Sequence, residues 1–517
     1  KASVVSADSL YGVDGAKFFA LSHELRRIDY KDRRGNPLTR YEPISQWTRK
    51  LPLTLDRLFL RAGGRFYAST PNGDVVGIDL AGPGKIAWRD KVDGKPWTML
   101  AADGRLFVVT LDGRIYCFAA GTVSQPKRYA MAKAPAAADP DGRAKDLLAL
   151  TGAKAGYALV LGADANLVDG LIAGSELDLI VLDADAEKVA ALRARLGDRY
   201  GRRVSAFAEG LAEARLPPYL ASLIVAPGGA SRALAAEAFR VLRPYGGTAC
   251  FGGGDASAAE VTRLAGSSEA SGAEVSTKGG WVLLRRAGPL AGSGSWTHQY
   301  ADAGNTAVSA DRLVRAPLGI LWFGGPSNDE ILPRHGHGPT PQVIGGRLFI
   351  EGRDLIRAVD VYTGRLLWES RIKDVGKFYD FTGHQAGANE IGSNYVSTAD
   401  GVYVITPHSC VKLDAETGQV SKQFQLPADL AGKALWGFMT VWDQCLITTA
   451  GPVATGKPGD YSAASRELIV MDRQSGKLLW RRSAAQSFRH NTIVAGAGRV
   501  FCIDGISAEK RDMLARR

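Results

Sequence analysis

Cysteine is scarce in this 517-residue sequence, and its distribution excludes the common cysteine-based metal and redox motifs. The chain has no C-x-x-C pair, no C-x-x-C-H haem-attachment motif and no vicinal Cys-Cys. Most of the cysteines lie in apolar, strand-like runs, where a free thiol behaves as a small hydrophobic side chain. The cysteines therefore indicate neither a redox compartment nor a metal. They are Cys117, Cys250, Cys410, Cys445 and Cys502.

Long apolar runs are also missing, since none approaches the roughly 20 residues that a membrane-spanning helix needs. The net charge of +11 is spread along the chain. Two local basic clusters, within 26–34 and 510–517, are interpreted as a solvated face and a terminal segment. No RNA-binding or zinc-finger signature accompanies them. The sequence therefore predicts no membrane span and no specific nucleic-acid partner.

The length exceeds that of one ordinary domain and predicts roughly two or three folding units. The 61 glycines indicate many tight turns. The chain begins at Lys1 and shows no signal peptide. We expect a mature, trimmed or partial chain, so that the missing targeting sequence carries little information. Near residues 17–30, Leu21, Leu25 and Ile28 recur at helical spacing, which predicts a short amphipathic helix between strands.

Short strands and tight turns repeat on both sides of a central region. Asn72-Gly73 and Asp112-Gly113 supply hairpin turns between β-branched and aromatic residues. A second element, D-x-x-T/S-G, recurs at Asp360, Asp414 and Asp472, and the pattern x-x-x-W follows the first and third of these turns. The aspartate and glycine form a turn, and the tryptophan is expected to pack between neighbouring units.

These residues resemble the repeat of pyrroloquinoline-quinone-type (PQQ-like) β-propellers, which is also seen in an outer-membrane assembly lipoprotein. The resemblance covers 58–120 and 296–517, and it includes the opening-strand pattern from Trp296 to Trp322. It implies four-stranded blades stacked around an axis. Such propellers are commonly exported and bind other proteins, so the resemblance implies a protein partner on the propeller face and a periplasmic or exported location.

The central region alternates buried strands and helices, which predicts a doubly wound parallel sheet with its crevice at the carboxyl ends of the strands. It resembles the class I S-adenosylmethionine-dependent methyltransferase fold. The resemblance places Asp183 where the family's acid accepts the ribose hydroxyls, and Glu209 where an acid meets the adenine amino group. The run F-R-V-L-R-P-Y-G-G at 239–247 is similar to the segment before the family's fifth strand.

The first loop departs from the family pattern. The acid position at the end of the first strand is Val160, and the glycine positions hold Gly162, Asp164 and Asn166. Asparagine tolerates a left-handed backbone, so Asn166 is expected to preserve the turn. Asp164 adds a charge beside the pocket, or alternatively contacts the ammonium group of the cofactor. The candidate cofactor is S-adenosylmethionine, and its candidate binding residues are Gly162, Asp164, Asn166, Asp183 and Glu209.

We therefore predict an all-β propeller interrupted by an α/β Rossmann-like methyltransferase domain. The predicted boundaries are 1–134 for the first propeller part with its helical insert and linker, 135–288 for the α/β domain, and 289–517 for the second propeller part. Proline- and glycine-rich stretches mark both junctions. The functional hypothesis is a propeller-based binding or scaffold protein with an inserted, S-adenosylmethionine-binding domain. No acceptor motif follows the fourth strand, so no catalytic residue is assigned.

Three alternatives stay open. One is an active methyltransferase whose propeller recruits the substrate, in which case a cytoplasmic location follows. The second is a PQQ-dependent dehydrogenase with Ca²⁺ held near 388–394; the missing Cys-Cys argues against it. The third is a metal site at His335 and His337, completed by His384, Glu390 or His490. Histidines that hydrogen-bond a neighbouring blade explain the same pattern, and we predict no metal.

Overall fold

The computed structural model describes residues 4–32, 35–79, 84–121, 125–130, 132–327, 330–332, 339–376, 393–452 and 464–505. The chain forms two compact units, 1–129 and 130–517. Among the described residues, no helix is both long and apolar enough to cross a membrane.

The first unit consists of three antiparallel sheets in chain order. A three-stranded sheet is followed by a four-stranded blade and then by a second three-stranded sheet. The strands are β1 Val4–Val5, β2 Ser9–Lys31, β3 Pro37–Leu55, β4 Arg57–Ala62, β5 Arg65–Ser69, β6 Asp74–Asp79, β7 Ile86–Lys91, β8 Pro96–Ala102, β9 Arg105–Thr110 and β10 Ile115–Ala119.

The helix predicted near residues 17–30 is wrong, because this segment lies within β2 and pairs with β3 over most of its length. Phe18 and Ala20 are buried, whereas Leu25 is exposed. The two buried residues, Phe18 and Ala20, are two positions apart, which is the period of a strand. The ring of Phe18 packs edge-on against Phe66 of β5 at 5.1 Å between centroids. Tertiary packing of the aromatic residues therefore outweighs the helical spacing of the leucines.

The second unit begins with the α/β domain, whose seven strands have the order β13-β12-β11-β14-β15-β17-β16. Neighbouring strands are parallel except at β17, which runs antiparallel to β15 and β16. The elements are α1 Arg143–Thr151, β11 Ala155–Leu161, α2 Ala165–Gly174, β12 Glu176–Leu182, α3 Ala186–Leu196, β13 Val204–Phe207, β14 Ala221–Ala226, α4 Arg232–Val241, β15 Gly247–Phe251, α5 Gly254–Ala265, β16 Ala273–Lys278 and β17 Trp281–Arg286.

Two apolar cores cover the two faces of this sheet. Leu167 of α2 and Val189 of α3 pack on one face, and Phe239 of α4 and Val261 of α5 pack on the other. The strands are buried on both faces, as expected for a parallel sheet covered by helices. The predicted fold class is thus confirmed for this region.

Antiparallel blades follow in the rest of the second unit. Three have four strands each and a fourth sheet has two. The strands are β18 Gln342–Ile344, β19 Arg347–Gly352, β20 Leu355–Asp360, β21 Leu366–Arg371, β22 Tyr395–Thr398, β23 Gly401–Ile405, β24 Cys410–Leu413, β25 Val420–Phe424, β26 Trp436–Trp442, β27 Cys445–Pro452, β28 Ala464–Asp472, β29 Leu478–Arg489, β30 Val494–Gly496 and β31 Arg499–Phe501.

The repeated aspartate forms a turn in each four-stranded blade of this unit. Asp360 accepts hydrogen bonds from the backbone N–H groups of Tyr362 and Thr363, and Asp414 and Asp472 accept equivalent bonds. The indole Nε1–H of Trp368 donates to the carbonyl of Ala415 in the next blade at 3.1 Å. The predicted packing of this tryptophan between neighbouring blades is therefore confirmed.

Candidate functional site

The candidate site is the carboxyl edge of the parallel sheet. The chain runs outward from β11 through β12 to β13, then returns to the other side of β11 with β14. A crevice forms at such a reversal, because the loops after the two central strands diverge to opposite faces. The loops that follow β11, β12 and β13 carry four of the five predicted site residues, and Asn166 lies in the first turn of α2.

Gly162 directly follows β11 and makes the turn into α2. Its φ is +109°, a conformation that side chains disfavour, and no other atom lies within 4 Å of the position that a Cβ would take. Its N–H donates to the carbonyl of Leu182 at 2.8 Å, which holds the turn against β12. A ligand can therefore approach the backbone at this position.

Asp164 caps the amino terminus of α2. One carboxylate oxygen accepts the N–H groups of Asn166 and Leu167, at 3.0 and 3.1 Å. The other accepts a hydrogen bond from Nη2 of Arg143, on α1, at 2.6 Å. An aspartate at this position stabilises the helix through its unpaired first-turn N–H groups. Asp164 therefore supports the loop, and it forms an ion pair with Arg143, which also pairs with Asp141.

The expected left-handed conformation of Asn166 is wrong. Asn166 is the second residue of α2, it is exposed, and it does not belong to the residues with positive φ. Gly162 makes the turn, and the cap at Asp164 starts the helix immediately after it. Asn166 thus lies on the rim of the crevice with its side chain toward solvent.

Asp183 joins two of the loops at this edge. One carboxylate oxygen accepts the N–H of Asp185 at 2.9 Å, and the other accepts the N–H of Ala163 at 2.8 Å. These backbone hydrogen bonds hold the pKa of the Asp183 carboxyl below its usual value. A carboxylate has about four acceptor positions, so both oxygens can still accept a hydrogen bond from a ligand.

Glu209 lies two residues beyond the end of β13 and is half-buried. Within the described residues, its carboxylate has no hydrogen bond or ion pair to another side chain. Because β13 neighbours β12, Glu209 and Asp183 follow adjacent strands on the same side of Gly162. The carboxyl edge therefore carries two carboxylates. That of Asp183 accepts backbone hydrogen bonds, and that of Glu209 has no described side-chain partner.

The opposite, amino edge of the sheet is packed against the blade β18–β21, which sequence reasoning missed. Nε of Arg243, just before β15, donates to Oδ2 of Asp360 at 2.6 Å, and the two side chains are 18% and 3% exposed. Tyr219, just before β14, packs edge-on against Tyr362 at 5.6 Å. Arg243 lies in the family-like run at 239–247, but no sequence signal pairs it with a blade turn.

The metal and quinone alternatives rest largely on residues outside the described ones. His335, His337, His384 and Glu390 all lie there. His490 is described and fully buried, and its Nε2 lies 2.7 Å from Oγ of Ser465. In the described part of the chain, no group of three or more histidine, cysteine or acidic residues could hold a metal ion.

One family model matches the sequence. It is described as outer membrane protein assembly factor BamB, and it covers residues 45–215. The match includes strands β4 to β10 of the first unit and continues into the α/β domain. None of the curated proteins matches this sequence significantly.

Solved structures of both kinds show similarity at low identity. BamB from Moraxella catarrhalis is 9% identical over 97% of this chain and 79% of its own, with a TM-score of 0.22. The N-methyltransferase NodS from Bradyrhizobium japonicum is 17% identical over 30% of this chain and 100% of its own, with a TM-score of 0.22. Phosphoethanolamine N-methyltransferase 2 from Haemonchus contortus, in complex with S-adenosyl-L-methionine, is 14% identical over 21% of this chain and 27% of its own, with a TM-score of 0.20.

The blade turns identify the blades, and the strand order identifies the α/β sheet. Neither identification depends on these structural similarities. The chain combines PQQ-like repeat blades with an embedded α/β domain that has the strand order expected for a class I methyltransferase.

Proposed function

We propose that this chain is a binding or scaffold protein whose embedded α/β domain holds a nucleoside-containing ligand of the S-adenosylmethionine type. The observation that carries the proposal is the open space at Gly162 beside the carboxylates of Asp183 and Glu209. A backbone without a side chain lets a bulky ligand approach, and carboxylates accept hydrogen bonds from ribose hydroxyls and an adenine amino group.

Each candidate residue has a separate role in this proposal. Asp183 accepts the ribose hydroxyls, and Glu209 accepts the adenine amino group. Gly162 provides the surface against which the ligand lies. Asp164 and Asn166 form the start of α2 and keep the loop in place. Asp164 is paired with Arg143, so it is a supporting residue and not a partner for the ammonium group of the ligand.

The contacts at the amino edge are consistent with a ligand site at the carboxyl edge. The domain is fixed to the blade β18–β21 through the ends of β14 and β15 that lie opposite the crevice. The carboxyl edge therefore stays available for a ligand while the domain is held in place. The propeller face supplies the binding surface for a partner protein, and an exported or periplasmic location follows from the propeller resemblance.

The test is calorimetric titration of the full chain with S-adenosylhomocysteine. We expect binding that weakens roughly tenfold or more in Asp183→Ala, since a hydrogen bond to a charged group contributes about 1.5–3 kcal/mol. Glu176→Gln is the matched control, because Glu176 is exposed at the opposite end of the same strand. No heat from the wild-type protein at high ligand concentration would refute the proposal.

An active methyltransferase is the second candidate, and it is favoured by the strand order and the two carboxylates. It predicts turnover of S-adenosylmethionine to S-adenosylhomocysteine when a protein substrate is recruited by the propeller. Equal binding of both compounds without turnover, across candidate protein substrates, would favour the scaffold. The methyl-transfer alternative also requires access to cytosolic cofactor and therefore a cytoplasmic location.

A further inference from the structure

A cleft in the first unit lies where three connections between strands meet. It is bordered by the β5–β6 turn, by the β7–β8 connection and by Arg114, the last residue of the β9–β10 turn, and its volume is 540 Å³. Binding pockets usually have volumes of roughly 300–1,000 Å³. The lining contains three cations, Lys91, Lys95 and Arg114, and one carboxylate, that of Asp93. The cleft is therefore basic, and the proposed nucleoside site does not account for it.

The connection that carries the two lysines is fixed by its contacts with the next sheet. Val92 is 2% exposed and packs in the apolar core of the first unit. The N–H of Asp93 donates to Oη of Tyr116 at 3.0 Å, and the carbonyl of Lys95 accepts the N–H of Leu111 at 2.9 Å. A ligand would therefore meet a backbone that is already ordered, which lowers the entropic cost of binding.

Arg114 occupies a position that is acidic in the preceding blade. The turns 70–74 and 110–114 share a hydrogen bond, in which the Oγ1 of the first residue, a threonine, accepts the N–H of the last, at 3.2 and 3.1 Å. In the first turn the last residue is Asp74, which is 8% exposed and is bound by Arg89. In the second it is Arg114, whose side chain is 53% exposed. The change from aspartate to arginine places a cation in the cleft.

The acidic side chains nearby satisfy these cations only in part. Arg114 lies 3.2 Å from Asp93 and 3.0 Å from Asp112, and all three side chains are about half exposed or more. Exposed ion pairs contribute little stability, so an incoming carboxylate can replace Asp93 at the arginine. Within the part of the chain that the structure describes, Lys91 and Lys95 form no ion pair with an acidic residue. The cleft thus offers three cations to an anionic ligand.

We propose that this cleft binds an acidic segment of a partner protein, whose carboxylates pair with Lys91, Lys95 and Arg114. Leu111, beside Lys95, is 60% exposed, and Pro71 belongs to the lining, so a peptide also finds apolar contacts there. Complementary charge around such contacts is typical of protein–protein recognition. None of the described lining residues is aromatic, whereas sites for single-stranded nucleic acid stack bases on aromatic rings.

Fluorescence anisotropy of the full chain with a labelled Glu-Glu-Leu-Glu-Glu peptide at low salt tests the proposal. We expect saturable binding that Arg114→Gln weakens about threefold to fivefold, and that substitution of all three cations by glutamine weakens about tenfold or more. Lys50→Gln is the matched control, because it removes the same charge from an exposed lysine of β3 outside the cleft. Equal weakening by Lys50→Gln would show that the net charge alone attracts the peptide and would overturn the proposal.

Asp93→Asn should change the affinity in the opposite direction, because it removes the carboxylate that competes for Arg114. We expect this variant to bind the peptide about twofold to threefold more tightly. Unchanged or weaker binding would contradict the proposal. A Gln-Gln-Leu-Gln-Gln peptide should not bind, and displacement of the acidic peptide by equimolar inorganic phosphate would identify a site for a small anion instead.

The inference rests on the proposed role of the propeller as a protein-binding surface, and its failure can be told apart from failure of the nucleoside site. The cleft lies in the first unit, whereas the nucleoside site lies in the second. Loss of peptide binding with intact binding of S-adenosylhomocysteine would refute only the cleft. The reverse result would support the cleft and refute only the nucleoside site.

Discussion

The amino and carboxyl edges of the seven-stranded sheet, where its parallel strands begin and end, are built in opposite ways. At the amino edge, a buried ion pair and an aromatic contact fix the α/β domain to a blade. At the carboxyl edge, Asp183 accepts hydrogen bonds from two backbone N–H groups. Within the part of the chain that the structure describes, Glu209 has no side-chain partner. One edge is closed by packing and the other presents acceptor groups.

This difference separates attachment from binding. A buried ion pair is costly to desolvate and is stable only when its geometry is satisfied, so it specifies one position of the domain on the blade. Asp360, which forms the blade turn, also accepts a hydrogen bond from Arg243 of the α/β domain. The attachment to the blade does not depend on the loops at the carboxyl edge. Substitutions in these loops should therefore leave the domain attached.

The largest expected effect comes from breaking the packed edge. Arg243→Ala leaves the carboxylate of Asp360 buried without its cation, and we expect a loss of about 3–5 kcal/mol in the free energy of unfolding of the second unit. Chemical denaturation measures it. Arg285→Ala is the control, because Arg285 and Glu274 are both exposed and 3.9 Å apart. It should change the stability by less than about 0.5 kcal/mol; equal effects in both variants would contradict a specific role for the amino edge.

A second substitution tests how far the open edge extends. A Cβ on Gly252, after β15, would overlap the backbone carbonyl of Pro227, after β14. Gly252→Ala should therefore cost about 1–3 kcal/mol, as expected for overpacking against backbone. Gly228 has no atom within 4 Å of its Cβ position, so Gly228→Ala should cost little. Thermal unfolding compares them; a tolerated Gly252→Ala would show that the carboxyl edge is open along its whole length.

The third prediction uses pH to distinguish the edges. Burial raises the pKa of the Tyr362 phenol at the packed edge. The folded state therefore favours the neutral phenol, and this contribution is complete below the unfolded pKa of about 10 and is lost as the pH rises above it. Tyr362→Phe should become more stable relative to the wild type above about pH 10. Tyr129→Phe, at a side chain that is 89% exposed, should leave the alkaline profile unchanged.

Much of the fold was predictable from the sequence, because turns and periodicity are local signals. The Asp-Thr-Gly turns at Asp360 and Asp414 fold as their spacing predicts, and the alternation of strands and helices yields the parallel sheet. Leucine spacing near Phe18 predicts a helix where a strand forms, since burial there follows the aromatic partner Phe66, far along the chain. Local patterns contain no information on such partners.

The candidate site was predictable in part, for the same reason. Asp183 and Glu209 follow strands that the sequence marks clearly, so their shared edge could be foreseen. The pairing of Asp164 with Arg143 depends on how α1 packs beside α2, and Asn166 was assigned a turn that Gly162 makes. The ion pair of Arg243 with a blade turn depends on how the α/β domain packs on the blade β18–β21, which no short motif encodes.

The smallest expected effect concerns Asp183 at the open edge. Backbone N–H groups hold its pKa low, so its contribution to stability is present above the unfolded pKa of about 3.9 and is lost as the pH falls below it. Asp183→Asn should cost about 1 kcal/mol at pH 7, because an amide offers one acceptor oxygen to two N–H donors. The difference from the wild type should begin to shrink as the pH falls below about 3.9, where the carboxyl of the unfolded chain takes up a proton. Urea unfolding between pH 3 and pH 7 measures it, with Glu176→Gln as the control on the same strand. A deficit that stays constant with pH would mean that the aspartate acts through its shape and not its charge, and a deficit as large as that of Arg243→Ala would remove the contrast between the two edges.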